Sequence, residues 1–118
     1  IRDRWSRLNP APTRDIPILI GGGGEKKTLR IVAQHADIWH SFADVPTLER
    51  KLGILAEHGA AVGRDVSEIE ISVEIRERSM ADADALHAAG ATLFTLGLDG
   101  PAFDMAPVRE WLSWRDGH

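Results

Sequence analysis

The feature that most constrains the fold is a run of four glycines between a strand-like segment and a helix-like segment. The segment Ile16–Ile20 is short and rich in β-branched residues, which is typical of a strand buried on both faces, with Pro17 tolerated only near its start. Gly21–Gly24 follow directly, and apolar residues recur at helical spacing from Leu29 onward. A strand that passes through glycines into a helix indicates a βα unit.

The same order of strand and helix recurs along the rest of the chain. The elements that the patterns predict are a brief strand at Ala36–His40, a helix from Asp44 to Gly63, a strand at Ile69–Ile75, a helix at Met80–Ala89, a strand at Thr92–Leu98 and a helix opened by Pro107. We therefore expect a single domain over residues 1–118, with residues 1–15 as a lead-in strap and residues 16–118 as four βα units.

Alternation of this kind predicts an α/β fold with a parallel sheet and right-handed crossovers. Two architectures satisfy it: a small open, doubly wound sheet, or four consecutive βα units of a (β/α)8 TIM barrel. A complete barrel needs about 250 residues, so a chain of 118 residues corresponds to a half-barrel. Half a barrel leaves two sheet edges unpaired and one face uncovered, which predicts association with another chain.

The composition excludes several classes of function. The formal net charge is -4, and Lys and Arg are spread along the chain, so neither nucleic acid nor an anionic membrane surface is expected as a partner. The chain has no cysteine, which excludes disulfides and thiolate chemistry. There is no apolar run near the roughly 20 residues that a membrane span needs, and no signal-peptide core. A cytoplasmic protein is the expectation.

The glycine run has two open interpretations. Backbone N–H groups at the start of a helix favour an anion such as phosphate, and glycines let them approach it. The run matches neither nucleotide fingerprint, because Lys27 stands where the dinucleotide motif has its third glycine, and no Gly-Lys-Ser/Thr follows. The glycines could equally serve only to make a tight turn. No metal-site spacing and no catalytic triad can be argued from the sequence.

Three polar residues at predicted strand ends, His40, Glu74 and Arg76, are candidates for a site. His40 could line a pocket or be an ordinary polar strand end, since barrel strand ends commonly face the site. Glu74 and Arg76 lie at the C-terminal end of their predicted strand, where the active sites of barrels are found. We nevertheless expect the polar face of that strand, formed by Glu70, Ser72 and Glu74, to be exposed to solvent.

Four blocks of sequence carry a resemblance to a known family: Ile16–Arg30, Ala33–Trp39, Ala61–Glu70 and Ala89–Thr92. Together they resemble the luciferase-like monooxygenase superfamily, in its branch dependent on coenzyme F420, where the first two blocks occur in the same order. The third block is similar to that family's link into the next strand, and the fourth to its lead into the last strand. The resemblance runs from Pro10 to the C-terminus. It implies the C-terminal half of the barrel, with the cofactor at the C-terminal mouth.

On this resemblance, Gly21, Gly22, Gly23 and Gly24 would contact the cofactor through backbone groups, with Trp39 and His40 beside them. Relatives most often carry asparagine or a small polar residue where this chain has His40. The implied activity is hydride transfer between coenzyme F420, or alternatively FMN, and a small organic substrate. The other half of the barrel would come from an upstream part of the gene or from a second copy in a homo-oligomer. The alternatives are a non-catalytic half-barrel with at most an anion-binding loop, and an open sheet that binds a nucleotide.

Overall fold

The computed structural model describes residues 7–75 and 80–118. Four parallel strands form one sheet in the order β1-β2-β3-β4. The strands are β1 (Leu19–Gly21), β2 (Ile38–Ser41), β3 (Glu70–Glu74) and β4 (Leu93–Thr95). The helices are α1 (Thr28–His35), α2 (Val45–Val62), α3 (Met80–Ala88) and α4 (Ala106–Asp116), with a short 3-10 helix at Val66–Glu68. The predicted α/β fold is confirmed.

The strand order distinguishes the two architectures that the sequence left open. A doubly wound sheet reverses its strand order at a switch point, whereas here each strand pairs with the next one along the chain. In a (β/α)8 barrel, consecutive strands are parallel and lie next to each other in chain order. The structure is therefore half of a (β/α)8 barrel. Among the described residues, none of the helices combines the length and apolarity that crossing a membrane would require.

One face of the sheet carries the hydrophobic core. The residues of this core, all less than a tenth exposed, are Leu29, Val32, Ala33, Ala36, Trp39, Leu48, Leu55, Ile69, Ile71, Val73, Leu86 and Ala91. They come from three strand-helix units, and they alternate along β3 as Ile69, Ile71 and Val73. Because successive strand residues point to opposite faces, this alternation places the helices on one side and leaves the other side for the barrel interior.

The boundaries of α2 follow its local capping signals. The Asp44 carboxylate accepts a hydrogen bond from the backbone N–H of Thr47 at 2.9 Å, which satisfies a donor that a helix start leaves unpaired. Gly63 ends the helix with a φ of 70°, a left-handed conformation that glycine adopts without steric cost. Both boundaries agree with the prediction from the sequence.

Two expectations about the strands were wrong in detail. The first strand begins at Leu19 rather than Ile16, because Pro17 has no N–H to donate and β2, its pairing partner, is itself only four residues long. The side chain of Leu19 is 52% exposed, so β1 is not buried on both faces. The fourth strand is also shorter than predicted, since among the described residues β4 has β3 as its single pairing partner.

Two charged side chains connect segments that are distant in sequence. The Asp37 carboxylate accepts a hydrogen bond from the N–H of Ile18 at 2.7 Å and thereby holds the chain at the start of β1. The Arg64 guanidinium donates to the carbonyl oxygens of Val32 and Ala33, at 3.4 and 3.3 Å, near the end of α1, where the Val32 carbonyl also accepts the N–H of Ala36. These contacts fix β1 and α1, which flank the glycine loop.

Candidate functional site

Four residues, one from each strand, lie side by side across the uncovered face of the sheet. Gly21 is paired with His40, His40 with Ser72, and Ser72 with Leu93. Paired residues of neighbouring strands point to the same face, and their sequence neighbours Trp39 and Val73 belong to the core on the opposite face. We call Gly21, His40, Ser72 and Leu93 the lumen row, because a closed barrel would have them in its interior.

Within the lumen row, His40 and Ser72 form a hydrogen-bonded pair. Nδ1 of His40 lies 2.9 Å from Oγ of Ser72, and Ser72 is completely buried. The expectation that the polar face of this strand is solvated is therefore wrong for Ser72, since the larger neighbours His40 and Leu93 cover it from both sides. Glu70, near the other end of the strand, is exposed as expected.

Two residues further along β3 and β4, the same face of the sheet carries another polar pair, Glu74 and Thr95. Oε2 of Glu74 accepts a hydrogen bond from Oγ1 of Thr95 at 3.3 Å, and Glu74 is half-buried. The structure thus places Glu74 beside the lumen row and engages it with its neighbouring strand. Arg76, the other residue considered at this strand end, lies outside the described residues.

The glycine loop is held from below by β2. Gly22 adopts a φ of 114°, a conformation that side-chain-bearing residues rarely adopt. Its N–H donates to the carbonyl oxygen of His40 at 3.3 Å, and its own carbonyl oxygen accepts from Nε1 of Trp39 at 2.7 Å. Trp39 is completely buried, so the structure places it beneath the loop, as part of the core.

Side chains of α2 hold the loop from its outer side. The Lys51 ammonium donates to the carbonyl oxygen of Gly23 at 2.7 Å, and a Cβ atom at Gly23 would collide with that ammonium. Nε2 of His58 lies 2.8 Å from the carbonyl oxygen of Glu25, and the Glu25 carboxylate pairs with Arg50 at 2.5 Å. Sequence reasoning did not identify Lys51. The available signal was the spacing of Lys51 and His58, which places both on one face of α2.

These contacts leave donors in the loop that suit a phosphate group. Within the described part of the chain, no protein acceptor is found for the N–H groups of Gly23 and Gly24, and Gly24 is exposed. The Lys51 ammonium has three N–H donors and uses one on Gly23. Backbone N–H groups beside a fixed cation at a helix start favour an anion, so the residues present fit a phosphate-bearing cofactor.

The surface next to the loop is open. Within the described part of the chain, an ideal Cβ atom built on Gly21 has no atom within 4 Å apart from its chain neighbours, so the end of β1 leaves a gap in the lumen row beside His40. Phe42 is 69% exposed, and its ring lies edge-on to the His40 imidazole with centroids 4.9 Å apart. The gap at Gly21, with an apolar ring and an imidazole beside it, is suited to a flat group.

A separate cavity of about 590 Å³ lies at the free edge of β4, away from the glycine loop. Its lining residues are Ile75, His87, Thr92, Leu93, Phe94, Leu96, Val108, Trp111, Leu112, Trp114, Arg115 and His118. Trp111 and Trp114 of α4 have a packing role here, because both rings lie against Phe94 with centroid distances of 6.1 and 5.4 Å.

Parallel strands in sequential order, alternating with helices and with a glycine loop at one strand end, define the class of protein: the (β/α)8 barrels, whose sites lie at the C-terminal ends of the strands. The family model described as luciferase-like monooxygenase matches residues 4–107. The chain belongs to the luciferase-like monooxygenase family, whose members generally bind flavin or coenzyme F420. No curated protein and no solved structure matched the chain. Within residues 7–75 and 80–118, no cluster of three or more potential metal ligands occurs.

Proposed function

We propose that this chain is the cofactor-binding half of a barrel oxidoreductase that uses coenzyme F420, with FMN as the alternative. The observation that carries the proposal is the juxtaposition of the phosphate-suited loop at Gly23 and Gly24 with the open gap at Gly21. One end of such a cofactor is anionic and the other is a flat ring, and the two features adjoin along a single loop. Membership of the family supports the same reading.

The cofactor supplies the hydride chemistry when it is bound, and the protein supplies position and electrostatics. In this proposal the N–H groups of Gly23 and Gly24, together with the Lys51 ammonium, hold the phosphate. Trp39 contributes through Gly22, whose carbonyl oxygen it fixes at 2.7 Å. His40 faces the ring from the lumen row. A loop fixed on both sides loses little conformational freedom on binding, which favours affinity.

The substrate side of the site requires the other half of the barrel. The two outer strands, β1 and β4, each pair with a single neighbour in the described sheet. Apolar side chains are exposed where a further unit would pack: Leu19 is 52% exposed on β1, Ile31 42% on α1 and Leu112 41% on α4. The cavity along the edge of β4 is mostly apolar in its lining. We propose that a second βα half covers these surfaces, either from a second copy in a homo-oligomer or from an upstream segment.

Titration of the purified chain with coenzyme F420, FMN and NAD, each followed by fluorescence, tests the proposal alongside native mass measurement. Saturable binding of coenzyme F420 or FMN supports it, and a dimer mass supports closure by a second copy. Binding of NAD alone would favour an open nucleotide-binding sheet. If none of the three cofactors binds, the proposal fails and a non-catalytic half-barrel is the remaining interpretation.

A matched pair of variants locates the bound cofactor. Lys51→Gln removes the cation at the loop and should weaken binding about ten- to hundredfold, since hydrogen bonds to charged groups contribute about 1.5–3 kcal/mol and each 1.4 kcal/mol is about tenfold in affinity. Lys26→Gln removes the same charge at an exposed position of the neighbouring turn and should change affinity much less. Equal effects of the two variants would show that affinity depends on the net charge of the protein and not on the position of Lys51 at the loop.

A further inference from the structure

The two ring nitrogens of His40 have different surroundings. Nδ1 lies 2.9 Å from Oγ of Ser72. For Nε2, no partner is found in the described part of the chain. His40 itself is half-buried and stands next to the gap at Gly21. The ring is therefore held at one nitrogen and available at the other.

The burial of Ser72 decides which nitrogen carries the proton. A serine hydroxyl has one donor hydrogen, and a buried donor without an acceptor costs about 1–3 kcal/mol. Ser72 is completely buried, and Nδ1 of His40 is the acceptor found for its hydroxyl among the described residues. The hydroxyl therefore donates to Nδ1, and in the neutral imidazole the proton is then on Nε2.

We propose that Ser72 holds His40 in the Nε2–H tautomer, so that Nε2–H donates a hydrogen bond to a carbonyl or anionic oxygen of the molecule bound over Gly21. This inference rests on the proposed function and adds a role to one residue of that site. His40 is the residue that touches the bound molecule, and Ser72 is the positioning residue that sets its tautomer. A neutral N–H donor binds a carbonyl oxygen, and it binds that oxygen more strongly as negative charge develops on it.

The neighbouring groups suit a donor at this place. The Phe42 ring lies edge-on to the imidazole, with centroids 4.9 Å apart. The nearest carboxylate along the same face, Glu74, is engaged with Thr95 on β4. Gly21 is paired with His40 in the sheet, and an ideal Cβ atom at Gly21 meets no atom of the described residues within 4 Å beyond its chain neighbours, so the space beside the imidazole is open.

Long-range ¹H–¹⁵N correlation spectra of the histidine side chains at pH 8 test the tautomer in the protein by itself. His58 is an internal reference, because its Nε2 lies 2.8 Å from the carbonyl oxygen of Glu25, which can only accept, so that Nε2 carries a proton. We expect His40 to show the same Nε2–H pattern. In Ser72→Ala, the Nδ1 shift of His40 should move while that of His58 stays. An Nδ1–H pattern, or no response to Ser72→Ala, would overturn the pairing.

Cofactor titration tests the donor role. His40→Leu should weaken the binding of coenzyme F420 or FMN about three- to tenfold, the usual range for one net hydrogen bond. His40→Gln, which keeps a side-chain N–H donor, should recover part of the loss. His35→Leu, at an exposed position on α1, is the control and should bind like wild type.

The outcomes separate the two proposals. Wild-type binding with an unchanged affinity in His40→Leu would overturn the donor role and leave the proposed function intact. If neither cofactor binds the wild type, the proposed function fails and the donor role fails with it. The tautomer spectra decide on the Ser72 pairing in either case, because they need no cofactor.

Discussion

The indole N–H of Trp39 donates a 2.7 Å hydrogen bond to the carbonyl oxygen of Gly22. One residue belongs to the fully buried core and the other to the half-exposed loop. Because Gly22 also donates its N–H to the backbone of His40, the loop conformation depends directly on the packing of β2. The loop is thus hydrogen-bonded directly to a strand of the core.

Replacing Trp39 with phenylalanine should both destabilise the protein and loosen the loop. The variant keeps an aromatic ring in the core but leaves the Gly22 carbonyl without its donor, which costs about 1–3 kcal/mol, and the smaller ring adds a packing loss. Urea unfolding measures the change in the free energy of unfolding. Trp111→Phe is the control, since Trp111 is half-exposed and its contact with Phe94 can be kept by phenylalanine. Equal losses in the two variants would contradict a special role for the Trp39 hydrogen bond.

Gly21 and Gly22 should respond to alanine in opposite ways. Gly22→Ala forces a side chain into a backbone with a φ of 114° and should destabilise by about 1–3 kcal/mol. Gly21→Ala meets no atom within 4 Å, so the free energy of unfolding should be unchanged or slightly higher, while its methyl group enters the proposed ring site and weakens cofactor binding. Thermal unfolding and fluorescence titration measure the two effects. Full cofactor affinity in Gly21→Ala would place the ring elsewhere.

Two glycines of α2 provide a second matched comparison. A Cβ atom at Gly59 would collide with the side chain of Val66 and lie 3.0 Å from the carbonyl oxygen of Arg64, whereas one at Gly53 meets nothing within 4 Å. Gly59→Ala should therefore destabilise by about 1–3 kcal/mol through overpacking. Gly53→Ala should stabilise by up to about 1 kcal/mol, because alanine favours the helix. Chemical denaturation of both variants checks the signs, and a stable Gly59→Ala protein would show that the 3-10 helix can move away.

The stability of the turn before β3 should depend on pH. Hydrogen bonds from the Ser67 side chain and backbone hold the pKa of the Asp65 carboxyl below its ordinary value. A carboxyl whose pKa is lower in the folded chain stabilises the fold above the unfolded pKa, and the effect is lost as the pH falls through the folded pKa. Asp65→Ala should thus be less stable than wild type at pH 7, and the gap should shrink at pH 3. Asp65→Asn keeps an acceptor without titrating, so its stability relative to Asp65→Ala should stay constant across this range.

The elements that the sequence predicted well are those governed by local rules. The start of α2 at Asp44 and its end at Gly63 depend on contacts within a few residues, and the alternation of Ile69–Ile75 reports directly on a strand. The order of βα units then follows from the elements themselves. The parallel sheet and the family could therefore be predicted from the sequence alone.

The contacts that could not be predicted from the sequence join residues that are far apart along the chain. Lys51 and Gly23 are separated by 28 residues, and His40 and Ser72 by 32, so no local pattern marks their contact. The prediction that the polar face of β3 is exposed to solvent was wrong for Ser72, because the neighbouring strands determine whether a residue in the middle of a sheet is buried.

By itself, the sequence determined the order of strands and helices, the glycine loop between β1 and α1, and the family. Those features follow from residue type, spacing and the local preferences of the backbone. Only the tertiary structure decided that Trp39 lies beneath the loop, that Lys51 lies over it, and that Ser72 holds one nitrogen of His40. The physical reason is that each of these contacts exists only once neighbouring strands and helices are packed in register.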